Sequence, residues 1–135
     1  MDYERLTAPC GLPCFECFLF TAQDNEEIRA MVSRELGIPT ELAICRGCRD
    51  EGGKCAHLPV DCRLYPCAAD KGVQFCCDCK DFPCDLLQPY RDRAELWHNT
   101  KMYNLCLIKK LGLESWAQNH AKRVQNAYMF EKWTL

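Results

Sequence analysis

Three pairs of cysteines, Cys14–Cys17, Cys45–Cys48 and Cys76–Cys79, are each separated by two residues. Such a turn aims two sulfurs at one point, which suits an ion that accepts thiolates. Cys10, Cys55, Cys62, Cys67, Cys77 and Cys84 stand around these pairs, and Cys106 lies apart, making 13 cysteines in 135 residues. In a secreted chain this density would mean a disulfide scaffold. The opening Met1-Asp2-Tyr3-Glu4-Arg5, however, has neither the basic region nor the apolar segment of a signal peptide. No stretch is long and apolar enough to span a membrane. The expected compartment is the cytoplasm, where thiols stay reduced and metal is favoured over disulfide.

Twelve clustered thiols would fill three four-sulfur sites. Cys55, alone in a Gly-rich loop, and Cys77, pointing away from the Cys76–Cys79 turn, are the weaker candidates. Without them ten remain: Cys10, Cys14, Cys17, Cys45, Cys48, Cys62, Cys67, Cys76, Cys79 and Cys84. Cys45 and Cys48 have Cys62 and Cys67 as the nearest downstream pair, close to the separation in zinc-ribbon patterns. One grouping therefore joins these four and leaves Cys10, Cys14 and Cys17 to complete the site of Cys76, Cys79 and Cys84 or to build a third with Cys84. The competing, interleaved grouping sets Cys14–Cys17 against Cys76–Cys79. His57 is a possible substitute donor, and Cys106 reads as a small core residue.

Zinc and a [4Fe-4S] cluster both accept four thiolates. The bacterial ferredoxin run is absent and the gaps suit knuckles, so Zn2+ is the expected metal and the cluster the alternative. Cys10-x3-Cys14-x2-Cys17 has the spacing of a radical S-adenosylmethionine loop, but the chain is too short for the barrel that carries it. No βαβ pattern surrounds a C-x-x-C, which argues against a thioredoxin-type centre. No catalytic set emerges, since the three histidines fall in no metalloprotease frame and there is no phosphate loop. A net charge of −2 excludes a wholesale basic nucleic-acid binder. Lys109, Lys110, Lys122 and Arg123 could face an acidic partner or nucleic acid, but read first as solvated helix faces.

The elements that must position these thiols are mostly helical. Fifteen Leu and 11 Ala stand against 4 Val and 4 Ile, and nothing alternates polar and apolar for long. Asp24 and Glu27 form a capping-box pair for a helix ending at Gly37. Further helices are expected over Cys84–Arg91, Glu95–Leu111 and Ser115–Phe130, the last with Trp116, His120, Val124 and Ala127 on one face. Residues 45–64 read as a polar loop that metal would have to order. Four prolines directly precede a cysteine, and after Pro13, Pro66 and Pro83 the cysteine would fall in a first helical turn, where a thiolate is favoured. The fold class is therefore mainly α, one small metal-stapled domain over 1–135. A cysteine-rich loop and knuckle part at 7–90 packs on C-terminal helices at 91–135.

An ordered series of motifs carries a resemblance. It runs Cys10-Gly-Leu-Pro-Cys14-Phe-Glu-Cys17, Cys45-Arg-Gly-Cys48-Arg49, Cys67-Ala68, Lys71-Gly-Val-Gln-Phe-Cys76 and Cys79-Lys-Asp-Phe-Pro-Cys84. It resembles DUF3795, a family of small cysteine-rich proteins of unknown function common in anaerobic bacteria and archaea. The resemblance covers most of residues 7–90 and implies zinc binding with no assigned activity. Carried over position by position, the family cysteines fall on the same ten residues; Cys55, Cys77 and Cys106 lie outside its pattern. The expected role is a structural metal that presents a surface to a macromolecular partner, with electron transfer or redox sensing as the alternative.

Overall fold

The computed structural model describes residues 1–55, 62–87 and 100–130, and is mainly helical with no strand among them. The helices are α1 (Tyr3–Leu6), α2 (Phe18–Thr21), α3 (Glu26–Leu36), α4 (Leu64–Asp70), α5 (Lys101–Leu111), α6 (Leu113–Trp116) and α7 (Lys122–Phe130). A π-helical turn, Ala117–Ala121, joins α6 to α7. None of the described helices is long and apolar enough to cross a membrane.

α3 is capped one residue later than the sequence suggests. Asn25 is extended, and its side chain accepts the Ile28 N–H at 3.0 Å. Glu26 and Glu27 are then left in the first turn, beside the positive end of the helix. Gly37 ends the helix as expected. The predicted Cys84–Arg91 helix is seen only as a 3-10 turn at Asp85–Leu87, because 88–99 lie outside the described residues, as does the opening of the helix predicted from Glu95. Its described remainder, α5, stops at Gly112.

The last helix begins at Leu113, two residues before its predicted start. Its buried side is Trp116, Ala117, Ala121 and Gln125, with His120, Val124 and Ala127 only half-buried. The sequence reading assumed an unbroken α-helical period. The wider π turn shifts the register and brings Gln125 inward in place of Val124. There its side-chain amide donates to the Glu16 carbonyl, tying α7 to the cysteine-rich part.

The main core gathers around Trp116, Leu105 and Leu87, each 0% exposed. Phe15, inside the Cys14–Cys17 turn, meets Trp116 edge-on at 6.2 Å and Tyr3 at 5.1 Å. Leu105 packs on Gly11, where an added Cβ would lie 3.0 Å from its side chain. Fully buried Asn104 donates to the Gly11 carbonyl at 2.9 Å and accepts the Trp116 indole N–H at 3.4 Å. One polar side chain thus satisfies two groups that water cannot reach. A satellite core of Leu19, Val32 and Ala43 holds Cys17 and Cys45 against Ile28 and Ile38.

Candidate metal centre

Two of the three C-x-x-C pairs share one local geometry. Cys14–Glu16 and Cys76–Asp78 are 3-10 turns, closed by the Cys17 N–H to the Cys14 carbonyl at 3.0 Å and the Cys79 N–H to the Cys76 carbonyl at 3.1 Å. The second cysteine of each pair then leaves in extended conformation, with φ −82° and ψ 136° at Cys17 and φ −74° and ψ 139° at Cys79. The third pair turns differently. Gly47 adopts φ 104° and directs its N–H at the Cys45 sulfur, 3.4 Å away. A side chain at Gly47 would be strained at that φ, and would rest against Cys14 Cβ at 3.7 Å.

The knuckle at Cys45–Cys48 lies on the first turn. The Cys48 N–H points at Cys14 Sγ at 3.5 Å, across 34 residues of chain. Cys45 is fixed by its own N–H to the Leu19 carbonyl at 2.9 Å, and its carbonyl accepts from Gln23 at 2.8 Å. The Cys55 and Cys45 thiols act on one another, which lowers the Cys45 pKa and raises that of Cys55. Cys14, Cys17, Cys45 and Cys55 therefore form one neighbourhood.

A second neighbourhood surrounds Cys76. Burial first, then the charges of Cys10, Cys84 and Cys67, push its thiol up to about 12. The Cys76 N–H donates to the Pro9 carbonyl at 2.8 Å. Cys79 receives the Asp81 N–H at 3.4 Å and the Lys71 ammonium at 3.7 Å, and Lys71 also pairs with Asp81. Lys71 is close enough to feel Cys67 as well as Cys79.

Burial raises the thiols between these groups too. It pushes Cys14 up to about 12, with the Cys48 N–H opposing and the charges of Cys10, Cys17 and Cys45 adding to it. Cys48 is raised by burial and then by Cys10, Cys14, Cys62 and Cys45. Cys10, 5% exposed, is raised by burial and by Cys62, against the pull of Lys101. Crowded sulfurs that repel one another as anions fit a cation among them. Among the described residues, no three Cys, His, Asp or Glu side chains already converge tightly enough to hold an ion.

These neighbourhoods cut across the groupings read from chain order. Cys67, expected with Cys45, Cys48 and Cys62, acts electrostatically on Cys76 and Lys71, whereas Cys62 acts on Cys10 and Cys48. Cys14 and Cys17 meet the Cys45–Cys48 knuckle. Cys55 lies within the influence of Cys45, Cys48 and Cys14, which its isolation in sequence hid. Cys14 does start a turn after Pro13, but Cys67 is the fourth residue of α4 because the helix begins two residues before Pro66. Cys77 is buried in the main core. Cys106 is exposed, not in the core, because the buried side of α5 runs through Lys101, Asn104, Leu105 and Ile108. Lys109, Lys110, Lys122 and Arg123 are all exposed, as expected of solvated helix faces, and Lys109 also donates to the Cys77 carbonyl at 3.1 Å. His57 lies outside the described residues.

Two adjacent glycines test how tightly the loop is seated. Gly53, at φ 77°, donates its N–H to the Cys48 carbonyl at 2.8 Å, and an added Cβ would stand 2.5 Å from Tyr65 Cβ on α4. Gly52, at φ 59°, has nothing within 4 Å of such a Cβ. Gly52→Ala should cost only the left-handed penalty, about 1–2 kcal/mol. Gly53→Ala should lower stability by clearly more, because α4 must move. Denaturant midpoints of the two variants decide it; equal losses would show that α4 does not press on the loop.

The fold and these thiol neighbourhoods define a mainly helical, cysteine-rich domain. The chain belongs to the protein family of unknown function DUF3795, whose model matches residues 6–89. No curated protein and no solved structure matches it.

Proposed function

We propose that this protein binds zinc through its clustered thiolates, and that the metal is mainly structural, shaping a surface for a macromolecular partner in a reducing cytoplasm. The observation that carries this reading is the Cys48 N–H on Cys14 Sγ, which lays two C-x-x-C units against each other. Amide donors aimed at sulfur favour the thiolate, the form a metal takes. In the proposed loaded protein there are two closed four-sulfur sites. Cys14, Cys17, Cys45 and Cys55 make the first, and Cys67, Cys76, Cys79 and Cys84 the second. Four thiolates leave zinc no open position, which favours a structural over a catalytic role.

Metal analysis of protein purified without oxygen tests the proposal. The expected preparation is colourless and carries at least two zinc ions per chain, with Cys76→Ser losing one of them. A brown preparation with iron, sulfide and charge-transfer absorption would overturn zinc in favour of a [4Fe-4S] protein. A chain that retains no metal would overturn the reading altogether.

A further inference from the structure

Charge is divided unevenly along the chain. Residues 1–100 carry 11 basic and 17 acidic side chains, a balance of −6, and residues 101–135 carry 6 and 2, a balance of +4. The two signs come together around α2. This short helix puts Leu19 into the satellite core with Val32 of α3, whereas its neighbour Phe18 lies edge-on to Phe130 of α7, at 6.4 Å. α3 and α7 therefore flank α2. Phe18 remains 38% exposed and Phe130 67%, and Met129 beside them is exposed as well. A lone exposed apolar residue is ordinary, but these three form a patch.

The two flanks are complementary. On α7, Lys122 and Arg123 are exposed, and Met129 and Phe130 follow seven residues later on the same face. On α3, Glu26 and Glu27 are exposed, and exposed Met31 follows Glu27 by four residues, again on one face. Among the described residues none of these four charges is in an ion pair. Lys122 is near enough to act on Glu16 without pairing with it. The arginines of α3 are engaged elsewhere: Arg29 donates to the Ala22 and Gln23 carbonyls at 3.0 and 2.7 Å, and Arg34 pairs with Glu35. Both faces thus run from charge to apolar side chain in the same chain direction, with opposite sign. The interval is about 6 Å on α3 and about 10 Å on α7, a difference that long Glu, Arg and Met side chains span. An α3 lying parallel to an α7 would match both features at once. Within one molecule α2 stands between them, so the matching helix belongs to another copy.

We infer that the protein self-associates as a two-fold dimer, in which the acidic face of α3 lies on the basic face of the second copy's α7 and the Phe18–Phe130 pairs are covered at the centre. A two-fold axis makes this contact twice, each copy giving one face and receiving the other. Opposite charges set the register, and the covered rings supply most of the affinity. The inference goes beyond the metal-binding reading and does not depend on it.

The test is sedimentation equilibrium of the full-length chain, purified without oxygen and kept reduced so that exposed Cys106 forms no disulfide. The parent should be a dimer whose dissociation constant rises with salt. Lys122→Glu with Arg123→Glu should weaken it at least about tenfold, and Glu26→Lys with Glu27→Lys should do the same. An equal mixture of the two double variants should dimerise as the parent does, because each α3 then meets an α7 of opposite charge at both contacts. That rescue would also show that both variants fold, as would circular dichroism matching the parent. Phe130→Ser should weaken the dimer with no rescue by either charge variant. A parent that stays monomeric would overturn the inference; if it also binds single-stranded DNA through Lys122 and Arg123, that face serves nucleic acid instead. A dimer indifferent to both charge reversals, or folded variants that do not associate when mixed, would overturn the α3–α7 contact. Species larger than two copies would overturn the two-fold closure.

Discussion

If the proposed zinc is structural, stripping it with a chelator should unfold the cysteine-rich part. Structural zinc contributes on the order of 10 kcal/mol in small peptide systems, as much as the whole net stability of many domains. The described residues from Cys45 to Cys55 contain no helix. They are held by turns such as Gly53 N–H to the Cys48 carbonyl, and bury no large side chain of their own. Without an ion, the thiols there gain nothing that offsets their burial and mutual crowding. Loss should spread beyond the loop, because Phe15 supports Trp116 from inside a cysteine turn. Circular dichroism should fall on treatment with a strong chelator, and protease should cut first within residues 44–63. Identical spectra and cleavage patterns with and without chelator would sink the structural role.

Trp116→Ala should be the most damaging single substitution in the C-terminal helices, at about 3–5 kcal/mol. Trp116 heads the fully buried side chains by volume, and the cavity it leaves would open onto Phe15. Its indole N–H also satisfies Asn104, so the truncation leaves a buried acceptor unpaired. Trp116→Phe keeps most of the volume and should cost far less, mainly that lost hydrogen bond. Denaturant unfolding of the metal-loaded variants measures both. A Trp116→Ala loss below about 1 kcal/mol would mean that the core is not centred there.

Much of the helical architecture is legible in residue order, because it depends on local periodicity and termini. Gly37 and Gly112 mark the ends of α3 and α5 as glycine after a periodic run should. The N-cap of α3 is off by one residue, since Asp24 and Asn25 are both good caps and only backbone conformation chooses between them. The π turn has no residue signature, so Gln125 could not be foreseen as an inward side chain. For the thiols, sequence identifies the donors and the C-x-x-C turns. It does not reveal which turns meet, because chain separation is a poor guide once a hub such as Thr7–Cys17 lies between them. Cys67 illustrates this: five residues from Cys62, it acts on Cys76, whereas Cys62 acts on Cys10 and Cys48. Lys101 is invisible for another reason. A lysine in an amphipathic helix reads as solvated, and its burial depends on α5 lying over Gly11.

The contact between the Cys76 N–H and the Pro9 carbonyl also bears on how the protein is made. The hub at residues 7–17 leaves the ribosome well before the Cys76 segment that closes on it, which emerges 66 residues after Cys10. At the usual pace of roughly 5–20 residues per second, the early sulfurs wait several seconds uncovered. During that interval they are open to oxidants and to adventitious metals. Newly made chain should therefore be far more sensitive to peroxide than the finished protein, and growth conditions should govern yield more strongly than storage conditions do.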